Sequence, residues 1–109
     1  LIFGRGYDHN YVLAKRWPGE LTYAAKAVSP KTGICMEVYT TEPGVQLYTG
    51  NWLSGFEGKA NRKYTERTAI CFETQHFPDS PNNSHFPSTV LRPGEKYTQT
   101  CIYKFGIEE

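Results

Sequence analysis

Apolar and polar residues alternate with a period of two through several short runs, and no stretch of ten or more residues holds a helical period. Residues 7–13 (YDHNYVL) set Tyr7, His9, Tyr11 and Leu13 on one strand face and Asp8, Asn10 and Val12 on the other. Trp17-Pro18-Gly19 is a turn. Residues 21–28 form a second strand, and residues 34–41 its hairpin partner across Ser29-Pro30-Lys31-Thr32-Gly33, where Pro presets one dihedral and Gly supplies a positive one. After Glu42-Pro43-Gly44, residues 45–49 put Gln46 and Tyr48 on one face. Residues 50–66 read as a loop broken by Gly50, Gly55 and Gly58. The next strand, residues 69–75 (AICFETQ), sets Ala69, Cys71, Glu73 and Gln75 against Ile70, Phe72 and Thr74. A loop rich in Pro, Asn and Ser follows, then a turn at Arg92-Pro93-Gly94-Glu95 and a last long strand over residues 96–105. Short strands divided by turns at this spacing predict an all-β fold of the sandwich type.

The totals narrow the field of functions. A chain of 109 residues is one domain, or a piece of a larger one. Its 12 basic and 11 acidic residues nearly cancel and form no block of one sign, so it lacks the basic stripe of a nucleic-acid surface. No apolar run reaches membrane-spanning length, and no signal peptide opens the chain. Leu1 stands where a starting Met would, as though the chain opened in mid-sequence. Cys35, Cys71 and Cys101 are odd in number, far apart and outside any C-x-x-C spacing. A disulfide framework or a zinc site is not expected, and a reducing, cytoplasmic setting is.

One residue breaks the strand pattern. Glu is depleted in strands and seldom buried unpaired, so Glu73 between Phe72 and Thr74 either faces water or stands in a cavity that needs a carboxylate. It leads directly into a loop of about seventeen residues, a length uncommon in a compact domain unless it has work to do. Asp8 is a second carboxylate in a strand-like run, and a pair of acids can serve acid-base chemistry, although either can equally be a surface or hydrogen-bonding group. His9, His76 and His85 have no metal-ligand spacing, and His76 reads as a loop or surface residue. Ser80, Ser84 and Ser88 lack a nucleophile context. Trp17, Trp52 and the tyrosines suit a sugar-stacking platform or, more simply, the rim of a β core.

Four motifs in one order carry a resemblance. Residues 6–13 (GYDHNYVL), residues 37–51 (EVYTTEPGVQLYTGN), residues 73–79 (ETQHFPD) and residues 86–95 (FPSTVLRPGE) resemble the carboxy-terminal part of the aldose 1-epimerase, or galactose mutarotase, family. The resemblance spans nearly the whole chain. It implies a large β-sandwich of the galactose-mutarotase type, of which residues 1–109 are a single carboxy-terminal segment. The implied activity is interconversion of the α and β anomers of free aldoses such as galactose and glucose, with no cofactor and no metal. Glu73 in E-T-Q matches the family's catalytic base, Asp8 in G-Y-D-H-N its sugar-binding aspartate, and Gln46 in P-G-V-Q a further substrate contact.

The implied mechanism is acid-base. Glu73 takes the proton of the anomeric hydroxyl while a general acid protonates the ring oxygen, and the opened aldehyde turns and recloses. In the family that acid is a histidine in an N-H-x-Y-F-type motif. No such motif occurs here, so the resemblance assigns the acid to a companion amino-terminal segment. Two other readings are a non-catalytic carbohydrate-binding module built on Asp8 and Gln46, and an interaction domain without a ligand. The enzyme reading further expects Glu73 in a partly desolvated cleft and apolar sandwich surface left open where the companion segment packs.

Overall fold

The computed structural model describes residues 1–108, and nearly all of its regular structure is strand. The strands are β1 (Asp8–Val12), β2 (Thr22–Val28), β3 (Ile34–Thr40), β4 (Gly44–Tyr48), β5 (Ser54–Glu57), β6 (Lys63–Thr65), β7 (Cys71–Gln75) and β8 (Cys101–Ile107). They form an antiparallel sheet β1-β4-β7, a second antiparallel sheet β2-β3-β8, and a small β5-β6 hairpin. The fold is all-β, as the alternation predicts.

The β2-β3 hairpin closes as its turn residues require. Gly33 has φ +71°, and its N–H donates to the Ser29 carbonyl at 2.8 Å. A Cβ at Gly33 would lie 2.5 Å from the Glu108 carbonyl oxygen, so both conformation and space demand glycine there. On the outer face of this sheet the register aligns Lys26, Glu37 and Lys104, with opposite charges facing across both ladders.

The two larger sheets meet through Val38 of β3, Val45 of β4 and Phe72 of β7, all buried, with Leu13, Met36 and Leu47 packed around them. Each such side chain removed from water contributes roughly 1.5–3 kcal/mol before the entropy of ordering is set against it. Tyr103 of β8 donates its O–H to the Phe72 carbonyl at 2.6 Å and so ties one sheet to the other. Phe72 and Glu73 thus divide their strand between two tasks, one side chain in the core and the next on the opposite face.

Two expectations need correcting. Residues 50–66 contain the β5-β6 hairpin, held by an edge-to-face contact of Phe56 with Tyr64 at 5.7 Å and by the Gly58 N–H bond to the Arg62 carbonyl at 2.7 Å. Its strands are only four and three residues long, too short to show a period of two against the surrounding glycines. The last strand begins at Cys101, not at residue 96. Its partner β3 ends at Thr40, and Glu42-Pro43 turn the chain away into β4, so the ladder finishes with Thr41 and Thr100 exchanging bonds at 3.0 and 2.9 Å.

Candidate functional site

The open face of the β1-β4-β7 sheet gathers amides and carboxylates from three strands. Register puts Asn10 opposite Gln46 and Gln46 opposite Glu73, so these residues form one row across the sheet. Asp8 opposes Tyr48, and Tyr48 opposes Cys71, one row along. Val12, Gly44 and Gln75 make the row on the other side. Because side chains alternate, all three rows face the same way while Val45, Leu47 and Phe72 turn into the core. The three residues matched to family roles, Asp8, Gln46 and Glu73, therefore share one surface although they lie as much as 65 positions apart in sequence.

Hydrogen bonds order part of this surface. Gln46 Nε2 donates to Asp8 Oδ1 at 2.8 Å. Gln75 Nε2 donates at 3.2 Å to Gln46 Oε1 and at 3.2 Å to Asn10 Oδ1. Asp8 and Glu73 stand on strands separated by β4 and one row apart, which sets their backbones about 12 Å apart on the diagonal of two strand spacings and two residues of rise. At that separation the acids cannot share a proton, and a ring the size of a hexose fits between them. One can bind while the other accepts a proton.

The expected desolvated cleft is not formed: Glu73 is exposed, and among the described residues its carboxylate takes no hydrogen bond or ion pair. The physical reason is that this face of the sheet has no second layer over it, while the core occupies the other face. Asp8 is exposed for the same reason. On this face Asp8 and Glu73 hold their carboxylates open to solvent.

A second polar cluster is not legible in the sequence. Glu42, which sits in an E-P-G turn, is only 4% exposed. Its carboxylate is bonded by His76 Nδ1 at 2.7 Å and by the Tyr97 O–H at 2.6 Å. Donation to the carboxylate, helped by burial, raises the Tyr97 phenol from 10 to about 12. His76 is thus not simply a surface residue. It lies on the wall of a cavity of about 870 Å³ shared with Lys15, Trp17, Phe77 and Leu91. Nearby, Lys15 donates to the Glu20 and Thr40 carbonyls at 2.8 and 2.6 Å, and burial lowers its pKa. Among the described residues no three His, Cys, Asp or Glu side chains gather as metal ligands, and no helix is long and apolar enough to cross a membrane.

Comparison with known proteins agrees with the motif order. The family model described as aldose 1-epimerase matches residues 1–104. Galactose mutarotase of Mus musculus is 44% identical over 103 residues, a match that covers 94% of this chain and 30% of that protein. Aldose 1-epimerase of Escherichia coli strain K12 is 35% identical over 106 residues, covering 95% of this chain and 30% of that protein. A crystal structure of a GalM/aldose epimerase homologue from C. elegans superposes with a TM-score of 0.84 at 31% identity, over 94% of this chain and 30% of that one. The chain thus spans about a third of the length of the curated relatives it matches.

Proposed function

This chain belongs to the aldose 1-epimerase family, and from that premise we propose that it is the carboxy-terminal wall of a sugar mutarotase active site, with Glu73 as the base and Asp8 and Gln46 as the groups that hold the sugar. The observation that carries the reading is the shared face: three residues from three distant strands, each matched to a role by its motif, stand on adjacent rows of one sheet.

In the forward direction Glu73 accepts the proton of the anomeric hydroxyl. The bond between the anomeric carbon and the ring oxygen breaks, the ring oxygen takes a proton from a general acid, and the open aldehyde forms. Rotation about the bond between the first two carbons presents the other carbonyl face, and the same two groups exchange roles in closure. Asp8 accepts from sugar hydroxyls, and Gln46 can both donate and accept, so the pair can fix the ring with directional bonds. A companion amino-terminal segment supplies the acid and the second wall. That wall would also remove Glu73 from water and bring its basicity toward the range useful for proton transfer. Galactose and glucose are the substrates this reading names, and unpaired Cys35, Cys71 and Cys101 suit a cytoplasmic location.

Polarimetry of freshly dissolved α-galactose and α-glucose tests the proposal. The parent chain, carrying this segment and its amino-terminal portion, should speed the relaxation of optical rotation, its Glu73→Gln variant should not, and the 109-residue chain alone should match buffer. A Glu73→Gln parent that relaxes the rotation at the wild-type rate would remove Glu73 from the mechanism. Sugar binding without acceleration would instead make this a binding module.

A further inference from the structure

We infer that Gln75 is a positioning residue of this site, which sets the orientation of the Gln46 amide, and through it the bond to Asp8, without itself touching the sugar. The inference rests on the sugar-binding role proposed for Gln46 and Asp8 and extends it to the last residue of the E-T-Q motif, to which the resemblance assigns no role.

The hydrogen-bond count carries it. A glutamine amide nitrogen has two protons, and both of those on Gln75 are committed, one to Gln46 Oε1 and one to Asn10 Oδ1, each at 3.2 Å. Gln75 therefore has no N–H left for a ligand. Gln46 is different: one of its Nε2 protons goes to Asp8 Oδ1 at 2.8 Å, the other is free, and Oε1 keeps a second lone pair. An amide can turn over about its last bond at little steric cost, and in the reversed orientation Oε1 would face the Asp8 carboxylate, oxygen to oxygen. The donation from Gln75 favours the same orientation as the bond to Asp8 and holds the amide from its other end.

Gly44 supplies a second, independent observation. It lies in register with Gln75 on the central strand, and its φ is not positive, so its backbone does not require glycine. Space does. A Cβ at residue 44 would stand 2.7 Å from Asn10 Oδ1 and 3.1 Å from Asn10 Nδ2. The missing side chain is the gap through which the Asn10 amide reaches across β4 toward Gln75. Asn10, Gly44, Gln75, Gln46 and Asp8 thus form one relay that runs from the Asn10 amide beside Gly44 to the Asp8 carboxylate.

The test uses the parent chain and two readouts. Gln75→Met keeps the length of the side chain and removes both donors. It should raise KM for galactose about tenfold, the worth of one net hydrogen bond, with kcat changed less than about twofold. In a Gln46→Ala background the same substitution should add less than about twofold, since Gln75 acts through Gln46. Nuclear magnetic resonance of the Gln46 side-chain amide, which does not depend on turnover, should show the proton bonded to Asp8 moving toward the position of a solvated glutamine amide in Gln75→Met. An unchanged KM in an active Gln75→Met enzyme, or effects of Gln75 and Gln46 that simply add, overturns the inference. An inactive wild-type parent would instead defeat the mutarotase reading, and the amide resonances would still decide the relay: positions unmoved by Gln75→Met would end it, and an Asp8-bonded proton shifted toward the solvated position would uphold it.

Discussion

Glu73 carries its charge beside Gln46 with no cation to hold it, so its substitution should act on chemistry and little on stability. In the active parent chain, Glu73→Gln keeps the size and polarity of the side chain and removes only the proton acceptor. We expect kcat to fall by about 10²–10⁴-fold, the usual worth of a positioned base, with KM within a few-fold of wild type in rotation assays across galactose concentrations. Tyr97 makes a different residue-scale prediction. The bond to Glu42 raises its pKa from 10 to about 12, so the folded state holds that proton more tightly than the unfolded chain does. The stabilisation is therefore complete below pH 10 and is lost as pH rises through about 12. Denaturant titrations should show wild type losing stability faster than Tyr97→Phe across that window, and Glu42→Gln should bring the Tyr97 ionisation, followed by tyrosinate absorbance, down toward 10. Motif order singled out Asp8, Gln46 and Glu73 in the sequence, and strand register sets the three on one sheet face. Glu42 was not legible there, because a glutamate in an E-P-G turn looks solvated until its partners arrive from 34 and 55 positions away.

The strands show what a local pattern can and cannot announce. The faces read from residues 7–13 and 69–75 are those that β1 and β7 keep, because side chains alternate along a strand, but only β7 shows the alternation in burial, with Phe72 buried and Glu73 exposed. Pairing between strands leaves no such trace. That Gly44 faces Gln75, and Gln46 faces Glu73, follows only from the register of β4 on β7, and the relay through Asn10 depends on that register. Gly44→Ala probes the element directly. The added methyl group would also meet Phe77 Cδ1 at 3.1 Å, so both the amide and the aromatic neighbour would have to give way. We expect a loss of about 1–3 kcal/mol in equilibrium unfolding, as for other overpacked sites. In the parent enzyme KM should rise as it does for Gln75→Met, because displacing Asn10 frees the Gln75 amide to leave Gln46. A Gly44→Ala enzyme with reduced stability but wild-type KM would separate packing from positioning.

At the scale of the molecule, the two larger sheets cover each other only in part. Val38 is fully buried at the centre of β3, yet β8 beside it leaves Tyr103, Phe105 and Ile107 at 49%, 69% and 77% exposure, although register turns all three toward the same side as Val38. They stand on the edge strand of their sheet, beside the core of Val38, Val45 and Phe72 and not within it. The outward edge of β8 also presents backbone N–H and C=O groups that no neighbouring strand takes up among the described residues. An apolar inner face joined to an open edge is a surface that pairs with whatever strand it meets. Glu73 is exposed in the same way: among the described residues no layer covers the open face with Asp8, Gln46 and Glu73 or the apolar overhang of β8, and on the proposed reading the companion segment covers both. The 109-residue chain by itself should therefore sediment as dimers and larger species in a concentration-dependent manner, whereas the parent chain should not. Phe105→Lys places a charge on the overhang without touching Val38 and should shift the isolated chain toward monomer, while in the parent chain it should lower stability, because there the position would be covered. A monomeric wild-type segment at high concentration, or a parent chain indifferent to a lysine at that site, would mean that this face is finished as it stands and that the second wall of the sugar site must be sought elsewhere.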